Sequence, residues 1–137
     1  MSMLAKAKLT AFLATTDAER TRTFYQKVLG LRTVAEDEFA LVFSTGGIDL
    51  RIQKVEHFTP HPFTALGWQV PDIGHAVRQL SQRGVRPERY PYLEQDEDGI
   101  WLAPGGTRVA WFKDPDGQLL SLSQAPLPLT PVLPEAR

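Results

Sequence analysis

The feature that most constrains the fold is an internal repeat with an offset of 55 residues. Asp17 and Asp72 each follow a short apolar run and precede a stretch whose apolar side chains recur at helical spacing, the place of a helix N-cap. Gly30 and Gly84, which lie 54 residues apart, are predicted to end the two helices, because glycine adopts the left-handed conformation found there. A repeat of this length predicts two similar modules packed together.

The first module is predicted to contain a strand, a helix and three further strands. Its helix carries an apolar stripe at Thr21, Phe24, Tyr25 and Val28, spaced as one face of an α-helix. The strands are predicted at residues 8–14, 31–36, 39–44 and 48–55, with Gly46 and Gly47 as the turn before the last. The predicted order is therefore βαβββ.

The second module repeats that order, with a helical stripe at Ile73, Ala76, Val77 and Leu80. Its strands are predicted at residues 63–70, 86–93, 107–113 and 118–123, and residues 114–117 form the turn between the last two. We predict an α+β fold of two βαβββ modules in a single domain, with modules at about residues 8–56 and 63–124. A proline-rich tail at 125–137 has no periodicity, and is either loose or an arm laid on a neighbour.

Charge and composition exclude several classes of function. The chain has 15 basic and 16 acidic residues, so its net charge of -1 does not favour binding to nucleic acid or to an anionic membrane surface. Its apolar runs are far shorter than the roughly 20 residues that cross a bilayer. The absence of cysteine excludes disulfides, thiolate metal sites and a cysteine nucleophile. We expect a cytoplasmic protein.

Three segments carry a resemblance to a known family: residues 24–31 (FYQKVLGL), 70–73 (VPDI) and 112–117 (FKDPDG). In this order they resemble the vicinal oxygen chelate superfamily, which includes glyoxalase I, extradiol dioxygenases and the fosfomycin- and bleomycin-resistance proteins. The resemblance covers roughly residues 8–124. It implies that each module curls its sheet into a U and that two modules enclose a cup, whose inward positions bind metal and substrate.

The resemblance also implies where a metal would be bound, and there this chain departs from its relatives. Enzymatic members hold a divalent ion with a histidine on the first strand of each module and a glutamate on the last strand of the second. The corresponding positions here are Thr10 or its neighbour Ala11, then Ala65 and Ser121. Hydroxyl and methyl groups are poor ligands for divalent cations, and Asp49 alone could not hold one. We therefore predict no metal and no other cofactor.

The three histidines do not supply the missing ligands by sequence. His57 and His61 are four residues apart, but Pro60 and Pro62 exclude the regular helix that would align them. A shift of register could still make His61 a ligand. His75 lies among polar neighbours on the second helix and is predicted to be a surface residue.

The alternation of side chains along strands predicts which residues line the cup. The candidate ligand-binding residues are Thr10, Phe12, Ala65, Gly67, Gln69, Val109, Trp111 and Ser121, with Arg51 and Arg108 as anchors for a carboxylate or phosphate. Small residues leave space and the aromatic rings offer flat faces for stacking. In the alternative interpretation the rings fill the space themselves, and the arginines serve solubility.

The run of carboxylates at residues 94–98 also has two interpretations. It is either a solvated acidic loop or a site that attracts a cationic ligand. The second interpretation follows from the resemblance, since bleomycin-resistance proteins bind a bulky cationic drug in grooves shared by two subunits.

The leading hypothesis is a metal-independent small-molecule binding protein, a homodimer by analogy, that sequesters an antibiotic or an aromatic metabolite. One alternative is a glyoxalase-type lyase or isomerase with atypical metal ligands. Another is a fold kept only for dimerisation or regulation, with its cup filled by its own side chains. Fold-level analogy does not name the ligand.

Overall fold

A computed structural model describes residues 2–126, which form two compact units. The first unit comprises residues 2–66 and 113–120, and the second comprises residues 67–112 and 121–126. Residues 63–66 and 113–120, which lie within the predicted second module, belong to the first unit. Of the predicted proline-rich tail, residues 127–137 lie outside the described residues.

The first module has the predicted βαβββ order. Its elements are a 3-10 helix at Met3–Lys6, β1 at Thr10–Thr15, α1 at Ala18–Thr23 continued by a π-helical turn at Phe24–Val28, β2 at Arg32–Glu36, β3 at Ala40–Thr45 and β4 at Ile48–Lys54. The strands form one sheet in the order β1-β4-β3-β2. β1 runs parallel to β4, and the other neighbours are antiparallel.

Local chemistry explains where these elements begin and end. The Asp17 carboxylate accepts a hydrogen bond from the Arg20 N–H and caps α1, as predicted. The π-helical turn is closed by a bond of 2.9 Å from the Leu29 N–H to the Phe24 carbonyl. Gly46 and Gly47 both have positive φ, which the two-residue turn between β3 and β4 requires.

The second module has β5 at Leu66–Gln69, α2 at Ile73–Gln82, β6 at Trp101–Leu102, β7 at Arg108–Lys113 and β8 at Leu119–Gln124. These strands form a second sheet in the order β5-β8-β7-β6. Asp72 caps α2 by accepting from the His75 N–H, and Gly84 follows the helix with a φ of +89°. The predicted α+β fold of two βαβββ modules is confirmed.

The strand predicted at 86–93 is wrong. Pro87 and Pro91 have no N–H to donate to a strand ladder. The segment keeps one backbone bond to β7, from the Glu88 N–H to the Trp111 carbonyl at 2.7 Å. The Gln95 side chain supplies further bonds: its oxygen accepts from the Tyr90 N–H at 2.8 Å, and its amide donates to the carbonyls of Glu88 and Gly99. The strand that pairs with β7 lies further along the chain, at Trp101–Leu102.

Each sheet buries one face. In the first unit Leu41 and Phe43 on β3 pair with Ile52 and Leu50 on β4, and all four side chains are buried. Tyr25 packs against this face, its ring stacked on that of Phe43 at a centroid distance of 5.7 Å. In the second unit the buried apolar side chains include Ile73, Val77, Ala110, Phe112 and Leu122. The opposite face of each sheet is not part of this buried core.

Candidate functional site

The face of the first sheet opposite the core carries three predicted site residues. On β1, Leu13 is only 7% exposed, whereas Phe12 is 58% exposed, because successive side chains point to opposite faces. Thr10 is paired with Asp49 on β4 and Phe12 with Arg51. Thr10, Phe12 and Arg51 therefore lie together on this face.

A cavity of about 340 Å³ lies in the first unit, and Phe12 and Ala65 are part of its wall. Its lining consists of Phe12, Leu13, Ala14, Gln53, Phe58, Thr59, Pro60, His61, Phe63, Thr64, Ala65, Gln118 and Leu119. None of these residues is aspartate, glutamate, lysine or arginine. Rings, hydroxyls and amides of this kind suit a compact ligand with an apolar body and few polar groups.

Hydrogen bonds fix the walls of this cavity. The Gln118 side chain donates to the Ala14 carbonyl at 2.9 Å and accepts from the Ala14 N–H at 3.2 Å, so the two sides of the cavity are held to each other. The Ala65 N–H donates to the Leu119 carbonyl at 2.8 Å. Ala65 is thus placed by backbone bonding, although it lies before the start of β5.

His61 contributes a ring to the cavity wall. It stacks on Phe63 with a centroid distance of 4.9 Å and an angle of 10° between the ring planes. His57 and His75 are exposed, the latter as predicted. Within residues 2–126, no three histidine, aspartate or glutamate side chains are grouped so that they could hold one metal ion.

The donors at the positions that correspond to the superfamily's metal ligands do not fit a divalent ion. Thr10 and Ser121 offer neutral hydroxyls and Ala65 offers a methyl group. Asp49, the one carboxylate beside Thr10 in the strand register, is paired with Lys8 at 3.2 Å.

A buried polar cluster holds the turn 114–117 in the first unit. The Tyr25 hydroxyl, fully buried, donates to the Asp114 carboxylate at 2.8 Å, and the Gln118 amide donates to the same oxygen. Burial raises the pKa of Asp114, outweighing the hydrogen bonds that lower it. Burial also raises the pKa of the Tyr25 hydroxyl, with a further contribution from the Asp114 charge.

Asp116 of the same turn has a different environment. Its carboxylate accepts from the hydroxyls of Thr15, Thr16 and Thr21 and from the Thr16 N–H. Burial acts to raise the pKa of Asp116, but these hydrogen bonds together lower it below its ordinary value. The turn is therefore anchored to the end of β1 and to α1, which keeps Gln118 in place at the cavity.

The second unit brings two predicted residues together. A Cβ atom built on Gly67 would collide with the Ser121 hydroxyl, so the glycine allows Ser121 to lie over the backbone of β5. Gln69, at the end of β5, is exposed.

Four aromatic rings form a continuous row in the second unit. Successive ring centroids are 5.6 Å apart from Tyr92 to Tyr90, 5.5 Å from Tyr90 to Trp111 and 6.0 Å from Trp111 to Trp101. Trp111 was predicted as a site residue, and Val109 is the strand partner of Trp101. The other three rings were not predicted, because Tyr90 and Tyr92 lie in the segment that had been assigned to a strand.

Arg108 is separated from this aromatic row. Alternation along β7 puts it on the face of the buried Ala110 and Phe112, opposite to Trp111. There it lines a cavity of about 670 Å³ beside the start of α2, together with Arg78 and several apolar side chains.

The acidic run at 94–98 is a structured loop with partners of its own. The Asp96 carboxylate accepts from the N–H groups of Asp98 and Ile100, both at 2.9 Å. Asp98 pairs with Arg78 at 3.3 Å, and Arg89 donates to the carbonyls of Asp96 and Glu97. Asp98 and Asp96 therefore have local structural roles.

Sequence comparison identifies the family. The model of the glyoxalase/bleomycin resistance protein/dioxygenase superfamily matches residues 8–122. The chain belongs to this superfamily. No curated protein matches the sequence.

Solved structures share the fold of this superfamily member. A bleomycin resistance determinant encoded on the transposon Tn5 is 25% identical, with a TM-score of 0.70, over 88% of this chain and 99% of that one. A lactoylglutathione lyase from Agrobacterium tumefaciens is 16% identical, with a TM-score of 0.67, over 86% and 92% of the two chains. A glyoxalase/bleomycin resistance protein/dioxygenase from Alicyclobacillus acidocaldarius is 16% identical, with a TM-score of 0.65, over 87% and 91%.

Within residues 2–126, no helix is both long enough and apolar enough to span a membrane.

Proposed function

We propose that this superfamily member binds a small molecule without a metal ion and sequesters it, the ligand being a drug or a metabolite. The observation that carries the proposal is the first-unit cavity, whose volume of about 340 Å³ lies within the range of ligand sites and whose lining includes several aromatic rings and no aspartate, glutamate, lysine or arginine. Sequestration requires only affinity, and stacking with a few hydrogen bonds can supply it.

The donor chemistry supports binding without a metal. By the resemblance, Thr10 or Ala11 and then Ala65 correspond to the positions where enzymatic relatives have imidazoles. Asp49 forms an ion pair with Lys8. The similarity to a bleomycin resistance determinant supports this proposal. The resemblance implies drug binding for resistance proteins of this superfamily, and binding alone needs no catalytic group.

The experiment is a thermal-shift screen of the purified protein against divalent metals, bleomycin-type drugs, thiol adducts and aromatic acids, combined with metal analysis of the protein as isolated. A ligand that binds the folded state raises the melting temperature. We expect stabilisation by an organic ligand and no stoichiometric metal. Stoichiometric zinc, nickel, manganese or iron would overturn the proposal and favour the glyoxalase-type alternative.

A matched pair of variants locates the ligand. Phe12→Ala removes an exposed ring from the first-unit cavity, and Leu102→Ala removes an equally exposed side chain from the wall of the larger, second-unit cavity; each is 58% exposed. We expect Phe12→Ala to abolish the stabilisation and Leu102→Ala to retain it. The reverse pattern would contradict the assignment to the first-unit cavity.

We also propose a cytoplasmic homodimer, which light scattering of the full chain tests. Met3, Leu4 and Leu9 leave large apolar side chains exposed near the start of the chain, as at an unpaired interface.

A further inference from the structure

Arg51 occupies an unusual position for an arginine on a strand. It lies on β4, which has β1 on one side and β3 on the other, and its strand partners are Phe12 and Val42. Arginine on an edge strand is explained by protection of the edge, but β4 has no free edge. Its half-buried place in the middle of a sheet face therefore needs another explanation.

The Arg51 guanidinium makes no hydrogen bond or ion pair with any group in residues 2–126. The carboxylates of this sheet have other partners: Asp49 pairs with Lys8, and Glu36 with two basic side chains. Arginine has five N–H donors in a fork that matches a carboxylate. Arg51 is thus a half-buried cation whose donors are available.

One acidic group interacts electrostatically with Arg51, namely Asp37, which follows β2. Its carboxylate accepts from the N–H groups of Phe39 and Ala40, at 2.8 and 2.9 Å. These bonds lower the pKa of Asp37, with a smaller contribution from the Arg51 charge. Asp37 is bonded to its own turn and lies beyond ion-pair distance of Arg51.

Arg51 also adjoins the cavity of the first unit. It is the strand partner of Phe12 and precedes Gln53 by two residues, and both Phe12 and Gln53 line the cavity. All three side chains point to the same face of the sheet. An available cation therefore borders a cavity that is otherwise aromatic and lacks a formal charge from aspartate, glutamate, lysine or arginine.

We propose that the ligand of this cavity is a planar aromatic molecule with one carboxylate, whose ring packs against Phe12 and whose carboxylate pairs with Arg51. This ligand class rests on the proposed binding function. A neutral aromatic would leave Arg51 unpaired, and a cationic one would be repelled by it. One guanidinium matches one carboxylate, since a charge-assisted, bidentate pair is the strongest contact that this side chain makes.

The test is isothermal titration calorimetry of the full chain with indole-3-acetate and with indole-3-acetamide, which differ only in the charge and chemistry of one group. We expect the acid to bind about tenfold more tightly than the amide, as a charge-assisted pair predicts. Arg51→Gln should remove this preference by weakening the acid far more than the amide, because only the acid loses a charge-assisted pair. The charge-matched control is Arg86→Gln, an exposed arginine of the second unit, which should keep the preference.

A second variant separates the two contacts. Phe12→Ala should weaken the acid and the amide by the same factor, because the ring is common to both probes. Equal binding of acid and amide by the unmodified chain, or a preference that survives Arg51→Gln, would overturn the ligand class while the binding function stands. Failure of both indoles, with a different compound stabilising the protein in the thermal-shift screen, would likewise overturn only the ligand class. Failure of both, with no organic ligand in that screen, would overturn both proposals.

Discussion

The two modules share one element order but bond their second segments by different means. In the first module β2 is a five-residue strand that pairs with β3, and the register shifts once, between Thr33 and Ala35. In the second module the residues after α2 form no ladder of this length, and the Gln95 side chain substitutes for backbone partners. The comparison shows that a βαβββ module can lose backbone hydrogen bonds between strands where a side-chain amide bonds the backbone N–H and carbonyl groups in their place.

The modules also differ at one equivalent position of their helices. Tyr25 follows the cap Asp17 by eight residues, as Leu80 follows Asp72. Leu80 requires only apolar neighbours, whereas the buried Tyr25 hydroxyl requires a hydrogen-bond acceptor, and Asp114 supplies it. The polar cluster of the first unit thus depends on the turn at residues 114–117, which is distant in sequence from Tyr25.

The largest effect should come from removal of that acceptor. Asp114→Ala leaves the Tyr25 hydroxyl and the Gln118 amide without their shared partner, so the free energy of unfolding should fall by about 3 kcal/mol. Urea denaturation measures it, with Asp98→Ala as the control, because Asp98 has only a part-exposed ion pair. A loss below about 1 kcal/mol would mean that the cluster is not a principal support of the first unit.

The second-largest effect is expected when the side-chain hydrogen bonds of the second module are removed. Gln95→Ala removes three hydrogen bonds to backbone groups, and should cost about 2 kcal/mol and speed amide exchange at Tyr90. Gln79→Ala, on the exposed side of α2, should change neither. Unaltered exchange at Tyr90 in the Gln95 variant would show that the segment is held by other contacts.

A smaller effect is expected at the close approach of β5 and β8. Gly67→Ala should cost about 1 to 2 kcal/mol, since the new methyl group collides with the Ser121 hydroxyl. Adding Ser121→Ala should restore the stability, and Ser121→Ala alone should have little effect. If a double-mutant cycle by thermal unfolding gives additive effects, the collision is not the cause.

The smallest effect concerns the exposed ion pairs of the first sheet. Glu36 pairs with Arg22 and Lys54, whose hydrogen bonds lower its pKa to about 2. Because the folded pKa lies below the ordinary value of 4.5, this stabilisation is complete above pH 4.5 and is lost as the pH falls towards 2. Since the group is exposed, Glu36→Gln should cost only about 0.5 kcal/mol at pH 7.

That cost should shrink at high salt and disappear at about pH 2. Unfolding followed at both pH values measures it. A cost that persists at pH 2 would assign the effect to packing of the Glu36 side chain instead of its charge.

The sequence predicted the fold well because its signals are local. Local backbone preferences were not overridden by tertiary contacts. They are seen in the helix caps at Asp17 and Asp72, the apolar stripes of the helices and the glycine turns. The strand predicted at 86–93 was wrong, although the prolines of this segment are a local signal against a strand. The bonds from the Gln95 side chain could not be predicted, because a single side chain gives no periodic signal in the sequence.

The candidate site was predictable only in part. Alternation along β1 and β4 correctly separated the core residue Leu13 from Phe12 and Arg51, because side-chain direction in a strand follows from position alone. The same rule applied to β7 would have separated Arg108 from Trp111. The rings of Phe58 and Phe63 belong to the segment between the modules, and no pattern in that segment indicates that it closes a cavity.

By itself, the sequence determined the repeat and the element order, which follow from residue type and spacing. That hydroxyl and methyl groups stand where enzymatic relatives place metal ligands is implied by the resemblance. Only the tertiary structure decided that Asp114 serves Tyr25 and that Arg51 is left without a partner beside an aromatic cavity. Both depend on which distant segments meet, and the hydrogen bonds and charges of a site are fixed only when those segments are in contact.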